Sequence, residues 1–578
     1  MNFRLTMLAA NRRLLPNVWD VVAFPLVICL IAMAVVGFNQ ALLPIGSLNT
    51  QVISLNPENL PEYAMRTTLR MLVAMLASLV FSVIYGTLAA KSRRAEKILV
   101  PILDILQSVP VLGYISFTVT FFITLFPGQV LGVELAAIFA LFTSQAWNMT
   151  FSFYQSLRTV PADLVEVSRS FHLTAWQRFW KLDAPFAVPG LIWNMMMSMS
   201  GGWFFIVASE AITVGNKAYT LPGVGGYLSQ AILHKDIHAV GWVLLTMVIV
   251  ILAYDQLLFR PLVAWADKFR MENTRSERAA SSWVRDLIRR TRLIQQIIKP
   301  LRHFFSTVAR LDWHLPFVRP LTPKKNIKNA ARLIGVLWGA LVIIVTLYVS
   351  YRAIAYMHGE ITADEIWHVF IAGLITLLRV SLLIIISSLV WLPVGVMIGL
   401  RPTLAGKVQP VAQFLAAFPA NLMFPVFVVM IVHFDLDPDI WLSPLIILGT
   451  QWYILFNVIA GTMAFPNDYK EAAANFHIRG WQWWRQVMLP GIFPYYITGA
   501  ITASGGAWNA SIVSEFVQWG NTHVKAHGLG SYIAQMTIAG DFPKIILGIA
   551  VMALFVTVFN RLLWRPLYKY AESKFGAN

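Results

Sequence analysis

Long apolar segments, each long enough to cross a bilayer, alternate along this chain with short polar segments. Runs near or above about 18 apolar residues predict membrane-spanning helices, because a helix must cross a hydrocarbon core about 30 Å thick. In the first half such runs occupy 19–38, 67–90, 99–126, 133–155, 187–213 and 239–259. In the second half they occupy 333–356, 369–400, 409–433, 440–463, 495–515 and 543–564. The pattern predicts an all-α membrane protein with about six transmembrane helices in each half.

One polar, amphipathic segment occurs twice, at 161–190 and at 466–495. The two copies align without a gap and share acidic, aromatic and proline positions. The first copy has Pro161, Asp163, Glu166, Phe171, His172, Trp176, Gln177, Pro185 and Pro189, and the second has Pro466, Asp468, Glu471, Phe476, His477, Trp481, Gln482, Pro490 and Pro494. Such a segment is too polar for lipid and too short to form a core, so we interpret each of these repeated segments as a docking element.

The same register continues beyond the repeated segments. The further matching residues are Trp203, Glu210, Gly223 and Gly225 with Trp508, Glu515, Gly528 and Gly530, and, after a shift of four residues upstream, Arg70 with Arg379. Self-similarity of this kind identifies an internal duplication. We therefore predict two homologous domains, 1–265 and 333–578, related by a pseudo-twofold axis along the membrane normal and joined by a linker at 266–332.

The distribution of charge predicts the orientation in the membrane. Hydrophobic residues make up 57% of the chain and charged residues only 13%, whereas soluble domains have about 25% charged residues. Lys and Arg concentrate on the cytoplasmic side of membrane proteins. On one side they include Arg12, Arg13, Lys91, Arg93, Arg94, Arg178, Lys181 and Arg260, whereas the acidic segments 39–64 and 434–439 lie on the other side. The N-terminus, linker, C-terminus and both repeated segments are therefore predicted to be cytoplasmic.

The linker contributes most of the net charge of +17. Its stretch 283–308 places apolar residues at helical spacing and interleaves them with Arg. This pattern is typical of a helix that lies on anionic lipid. Positive-inside charge without a specific partner explains it as well and is the interpretation that we prefer, so the linker indicates neither a substrate nor nucleic acid.

Motifs for catalysis or metal binding do not occur in the sequence. It contains no GxxxxGK[ST] phosphate loop, no HExxH and no GxSxG motif. Two histidine pairs have the four-residue spacing of metal ligands, His234 with His238 and His523 with His527, but both lie in polar loops and the repeat does not relate them. A single cysteine, Cys29, excludes an intrachain disulfide or a multi-cysteine site. We expect no enzyme, no metal and no cofactor in this chain.

The second repeated segment contains Glu471-Ala472-Ala473, followed nineteen residues after the Glu by Pro490. It resembles the cytoplasmic EAA loop of the permease subunits of bacterial ABC importers. The first segment keeps the Glu and the final Pro but not the alanines, and both segments have His, at His172 and His477, where the family usually has Gly. Downstream, the residues Trp481-Gln482, Leu489-Pro490, Trp508, Glu515 and Gly528-Leu529-Gly530 resemble the nitrate/sulfonate/taurine group of these permeases.

The resemblance implies a fused pair of type I ABC importer permease domains in the bacterial inner membrane. Two separate ATPase subunits would bind ATP and dock on the two EAA-like loops. A periplasmic or lipid-anchored binding protein would deliver a small solute, with anionic solutes included among the candidates. Two alternatives remain. One is a secondary transporter built from duplicated bundles, although Glu210 and Glu515, the chief intramembrane acids, give it little support. The other is a membrane scaffold that transports nothing.

Two sets of candidate site residues follow. The expected ATPase-docking residues are Asp163, Glu166, Phe171, His172, Trp176, Pro185, Asp468, Glu471, Ala472, Ala473, Phe476, His477, Trp481 and Pro490. For the translocation path the candidates are Trp203, Glu210, Trp508 and Glu515, which either line a route between the halves or, for the Glu residues, lie at the outer helix ends. Arg70 and Arg379 are expected near the outer ends of their spans, with side chains that extend toward water.

Overall fold

A computed structural model describes residues 18–46, 53–108, 111–214, 217–269, 282–311, 359–463, 465 and 467–575, with short stretches between 339 and 357. The predicted all-α class with two duplicated bundles is confirmed. Each half adds one short two-stranded antiparallel hairpin to its helices. The third predicted span of the first half contains a gap in the described residues at 109–110, and most of the predicted span 333–356 lies outside them.

In the first half and the linker, long helices alternate with short ones. These elements are α1 (Val18–Ala41), α2 (Leu60–Lys91), α3 (Arg93–Ser108), α4 (Val111–Leu125), α5 (Leu131–Arg158), α6 (Ala162–Ser170), α7 (Ala175–Arg178), α8 (Ala184–Glu210), β1 (Ala211–Val214), β2 (Lys217–Thr220), α9 (Val224–Leu233), α10 (Ile237–Tyr254), α11 (Arg260–Ala266), α12 (Trp283–Arg290) and α13 (Arg292–Arg310). Single π-helical turns at Phe179–Asp183 and Asp255–Phe259 join α7 to α8 and α10 to α11.

The second half repeats this order. Its elements are α14 (Ala363–Gly399), α15 (Pro402–Ala417), α16 (Phe424–His433), α17 (Pro438–Trp441), α18 (Ser443–Leu448), α19 (Trp452–Met463), α20 (Asn467–Asn475), α21 (Gly480–Trp483), α22 (Leu489–Ser514), β3 (Phe516–Trp519), β4 (Thr522–Lys525), α23 (Leu529–Ala539), α24 (Phe542–Phe559) and α25 (Arg565–Phe575). The π turns recur at Trp484–Met488 and Asn560–Trp564. Their recurrence at matching positions supports the internal duplication.

Two of the predicted spans of the second half are bent pairs of helices rather than continuous helices. Among the described residues, four helices are long and apolar enough to cross a membrane, or six if each of two bent pairs counts as one span. The pair at 411–433 bends by 76° and the pair at 438–463 bends by 43°. The sharper bend follows from Pro419, because the residue before a proline is pushed out of the helical region, and Phe418 has extended backbone angles.

The core of each half is built by three helices that pack closely. In the first half α5 lies against both α2 and α8, and in the second half α19 lies against both α14 and α22. Small residues permit this approach: a Cβ at Gly499 would lie 2.7 Å from the Tyr453 carbonyl oxygen. Trp203 and Trp508 fill matching core positions and are each only 1% exposed.

The two halves contact each other through hydrogen bonds in the middle of the molecule. The Asn509 side-chain oxygen accepts the Val111 backbone N–H at 2.8 Å. The Asn421 side-chain amide donates to the Phe204 carbonyl at 2.6 Å. The linker helices α12 and α13 pack against the first half, at α1, α7 and α11.

Candidate functional site

Each repeated segment folds as a short helix, a turn, one further helical turn and a π turn that continues into a long helix. In the first segment these are α6, α7 and α8, and in the second they are α20, α21 and α22. Asp163 and Asp468 lie in the first turns of α6 and α20, where a carboxylate complements the helix dipole. The two segments therefore have the same backbone architecture, and each leads directly into a long helix, α8 or α22.

The histidines at the usual glycine position adopt the backbone conformation that favours glycine. His172 has φ of 49° and His477 has φ of 52°, in the left-handed region. The N–H of Leu173 donates to the Ser168 carbonyl and that of Ile478 to the Ala473 carbonyl. Together with the bonds from each histidine N–H to the carbonyl three residues back, these form a Schellman motif that ends the helix. The helix break is therefore retained without glycine.

We predict that position 477 tolerates residues that adopt left-handed backbone and rejects those that do not. His477→Gly and His477→Asn should leave amide exchange of the 467–478 peptide within about twofold of the parent. His477→Val should raise exchange roughly 5- to 100-fold, because holding a β-branched residue in this region costs about 1–3 kcal/mol. Hydrogen–deuterium exchange with mass spectrometry measures the difference, and slow exchange in the Val variant would contradict the assignment of the turn.

Most of the candidate docking side chains face away from the bundle. Phe171, Phe476 and Trp481 are 73%, 79% and 73% exposed. The acidic residues and the first alanine are also exposed, namely Asp163, Glu166, Asp468, Glu471 and Ala472. Pro185 and Pro490 are half-buried near the starts of α8 and α22. Ala473 differs from the others, because it is only 3% exposed and contacts the interior.

The linker makes the two repeated segments unequal. The Trp176 indole N–H donates to the Val308 carbonyl at 2.7 Å, and the Gln177 amide donates to the Arg310 carbonyl at 3.3 Å. The end of α13 therefore contacts the first segment, and Trp176 is half-buried. Its counterpart Trp481 is exposed. The sequence contains no signal for this contact, because the two copies share the same Trp-Gln pair.

At the opposite ends of the long helices, Glu210 lies in a buried network of the first half. One carboxylate oxygen accepts the Thr67 hydroxyl at 2.7 Å and the Arg70 guanidinium at 2.7 Å. The other oxygen accepts the Gly225 N–H at 2.7 Å. Arg70 also makes two 2.6 Å bonds to Glu134. The guanidinium is thus held between two carboxylates, one of them fully buried.

The second half repeats this network with matching residues. Glu515 accepts the Thr376 hydroxyl at 3.0 Å and the Arg379 guanidinium at 2.6 Å. The Gly530 N–H donates to its second oxygen at 2.9 Å. In place of the second carboxylate of the first half, Arg379 has Asp439 at 3.1 Å. A buried ion pair at the same position of both halves indicates a conserved internal arrangement.

The expectation that Arg70 and Arg379 extend toward water is wrong. Their side chains are 5% and 10% exposed, and the paired Glu210 and Glu515 are each about 1% exposed. The reason is the pairing itself, since a buried charge is stable when a partner and hydrogen bonds compensate its desolvation. The two positions considered for Glu210 and Glu515 were a route between the halves and the helix ends. Both residues lie at the ends of the long helices α8 and α22. The recurrence of Glu and Arg at matching positions of both halves marked these residues, but it did not identify them as partners.

A cavity of about 160 Å³ lies between the halves. Hydroxyl, amide and aromatic residues from both halves line it, including Thr143, Ser144, Asn148, Ser200, Phe204, Thr450, Tyr453, Thr502 and Asn509. Within the described part of the chain, its lining contains no charged residue, and the Trp147 indole N–H and Thr450 hydroxyl that border it have no hydrogen-bond partner. Glu210, Glu515, Trp203 and Trp508 do not line this cavity, and Trp203 borders a neighbouring one of about 340 Å³.

Comparison with known proteins finds one family twice in this chain. The family described as "Binding-protein-dependent transport system inner membrane component" matches residues 82–259 and 391–564. The glycine betaine/proline betaine transport system permease protein ProW of Escherichia coli is 29% identical over 37% of this chain and 62% of its own length. The bicarbonate transport system permease protein CmpB of Synechococcus elongatus is 28% identical over 25% and 51%, respectively.

The nitrate import permease protein NrtB of Leptolyngbya laminosa is 24% identical over 32% of this chain and 64% of its own length. The chain therefore spans less than two thirds of the length of each of these relatives. The two family matches contain both repeated segments and the helices α5, α8, α19 and α22.

Proposed function

The chain belongs to the family of binding-protein-dependent transport system inner membrane components, and we propose that it forms the complete membrane-spanning unit of an ABC importer. One observation carries this proposal: two repeated segments of the same geometry stand at the starts of equivalent long helices in two homologous halves. The proposed permease domains are 1–265 and 333–578, with the linker at 266–332. The fusion would supply in one chain what two separate permease subunits supply together.

The proposed partners follow from the exposed faces of the repeated segments. One ATPase subunit would dock on each segment, with Phe171 and Phe476 as aromatic anchors, since exposed aromatic residues often dominate interfaces. ATP would be bound by these subunits, and this chain would hold no cofactor. A periplasmic or lipid-anchored binding protein would deliver the solute on the opposite side. The N-terminus, linker and C-terminus would then be cytoplasmic, as the distribution of Lys and Arg predicts.

The proposed solute path passes through the central cavity rather than along the buried glutamates. The cavity is lined by both halves and borders two unpartnered polar groups, Trp147 and Thr450. Such groups can bind a small polar solute because they have unused hydrogen-bonding capacity. The relatives named above transport betaines, bicarbonate and nitrate, and we propose a small solute of comparable size, anionic solutes included.

Reconstitution into proteoliposomes tests the function. With the cognate ATPase, binding protein and ATP, solute should accumulate, and removal of any one of these three should stop it. Accumulation driven by an ion gradient without the ATPase would overturn the proposal in favour of a secondary transporter. Absence of transport despite a bound, active ATPase, across betaine, bicarbonate and nitrate as trial solutes, would favour a scaffold.

A further inference from the structure

One continuous helical rod connects each repeated segment to a buried carboxylate. In the first half, helical structure runs without interruption from Ala175 through the π turn to Glu210, and in the second half from Gly480 to Ser514. Glu210 ends the first rod and Glu515 caps the second. At about 1.5 Å per residue, each rod is roughly 50 Å long. Each rod therefore spans the distance between a repeated segment and the carboxylate at its far end.

Glu210 and Glu515 each accept hydrogen bonds that join a β-hairpin to the end of the long helix. We call β1–β2 and β3–β4 the outer hairpins. At the base of the first outer hairpin, the Leu221 N–H donates to the Glu210 carbonyl at 2.7 Å, and the Gly225 N–H donates to the carboxylate. Gly223 permits this close approach, because a Cβ there would lie 2.3 Å from a carboxylate oxygen.

The second outer hairpin is fastened in the same way. The Ala526 N–H donates to the Glu515 carbonyl at 2.8 Å, and Gly530 and Ser531 both donate to its carboxylate. A Cβ at Gly528 would lie 2.2 Å from that carboxylate. The first glycine of the Gly-x-Gly sequence in both halves is therefore explained by the space that a buried carboxylate needs beside the backbone.

The outer hairpins reach across to the opposite half. The Gly520 N–H, in the turn of the second hairpin, donates to the Ile232 carbonyl of the first half at 2.9 Å. Lys235 packs over the same turn, with its Cγ 2.8 Å from where a Cβ of residue 520 would lie. The first hairpin contacts α23 of the second half. Both hairpins therefore hold the halves together on the side opposite the repeated segments.

We propose that Glu210 and Glu515 are positioning residues that couple movement of the repeated segments to separation of the outer hairpins. The Thr and Arg residues of α2 and α14 hold the carboxylates, so that rod, hairpin and long helix of one half move as one body. Closure of the ATPase pair would then part the hairpins and open the outer side. This inference rests on the proposed docking of the ATPase at the repeated segments.

A disulfide between the halves reports the contact directly. Lys235→Cys with Gly520→Cys, in a Cys29→Ala background, places two thiols at the hairpin contact, where the Lys235 Cγ lies 2.8 Å from the position of a Cβ at residue 520. The chain has no other cysteine. In nanodiscs with the cognate ATPase, the cross-link should form readily without nucleotide. We call this double-cysteine protein the parent. A non-hydrolysable ATP analogue should lower the cross-link yield of the parent at least fivefold.

The double variant Glu210→Gln with Glu515→Gln should still bind the ATPase. Its cross-link yield with the ATP analogue should stay within twofold of its yield without nucleotide. Thr67→Val with Thr376→Val removes the hydroxyl that donates to each carboxylate and accepts the backbone N–H of Val224 or Leu529. This pair should give an intermediate response, which keeps the test available if the Gln variant does not fold. Ser209→Ala is the matched control, because Ser209 is buried beside Glu210 and its hydroxyl donates to the Ile206 carbonyl of its own helix. It should respond as the parent does.

A full nucleotide response in the Gln and Val variants would overturn the coupling role, because a merely structural role lowers the yield of folded protein without changing the response. A parent that binds the ATPase but shows no nucleotide response would also overturn it. Failure of the parent to bind the ATPase would instead overturn the docking proposal on which this one rests, and co-purification in the same samples distinguishes these results.

Discussion

Replacing Phe476 with Asp is expected to reduce binding of the ATPase subunit at the second repeated segment by at least roughly 30-fold. Phe476 is 79% exposed, and truncation of an aromatic anchor commonly costs about 2 kcal/mol or more, with tenfold for each 1.4 kcal/mol. A carboxylate adds the cost of burying a charge in the interface. Co-purification of the ATPase with membrane-extracted protein measures the loss. The protein itself should remain folded, because this side chain contacts little of its own chain.

The repeated segments supply their own controls for this experiment. Phe171→Asp tests the first segment, and the combined variant should retain no ATPase. Glu471→Lys should weaken binding more than Glu166→Lys, since only the second segment has the alanines that the family resemblance associates with a close fit. Ala473 is not a clean probe of docking, because it is buried and a larger residue would disturb the segment. Unchanged co-purification in the combined Phe variant would rule out docking at these segments.

When the two halves are expressed as separate chains, stimulation of the ATPase is expected only if both halves are present. A lone first half would lose the partners of its interface, among them the Asn509 side chain that accepts the Val111 N–H. It would also present only one repeated segment to a pair of ATPase subunits. Co-expressed halves should reassemble, with a tag on one half recovering the other, whereas neither half alone should support ATPase stimulation above background. The tether then acts mainly by raising effective concentration.

The structure favours one place for the cut. A break between Ala279 and Ser282 separates α12 and α13 from the half on which they pack, whereas a break after Leu311 leaves both helices attached to it. We expect the later cut to give the higher recovery of paired halves. A cut inside α14, for example after Ile384, is the control and should prevent reassembly, because it interrupts a core helix. A single half that stimulates the ATPase fully as a homodimer would contradict the two-domain arrangement.

The family and the duplication were predicted correctly from local patterns. The family prediction, made from Glu471-Ala472-Ala473 and Pro490, is confirmed by the two matches to the family of binding-protein-dependent transport system inner membrane components. The nitrate-type subgroup is represented among the relatives, beside bicarbonate and betaine permeases. The docking role of individual residues stays a prediction. The left-handed turn at His172 and His477 was not predicted, although both histidines stand where the family usually has Gly and histidine is enriched in left-handed backbone.

The sequence by itself determined the features that depend on neighbouring residues or on repetition. Apolar runs select helices because lipid leaves backbone groups no other partner, and an exact register of matching residues reveals two copies of one bundle. Only the tertiary structure decided that Arg70 pairs with Glu210, 140 positions away, and that α13 contacts Trp176 but leaves Trp481 exposed. Such contacts join segments far apart in the chain, and their geometry arises only when the helices pack.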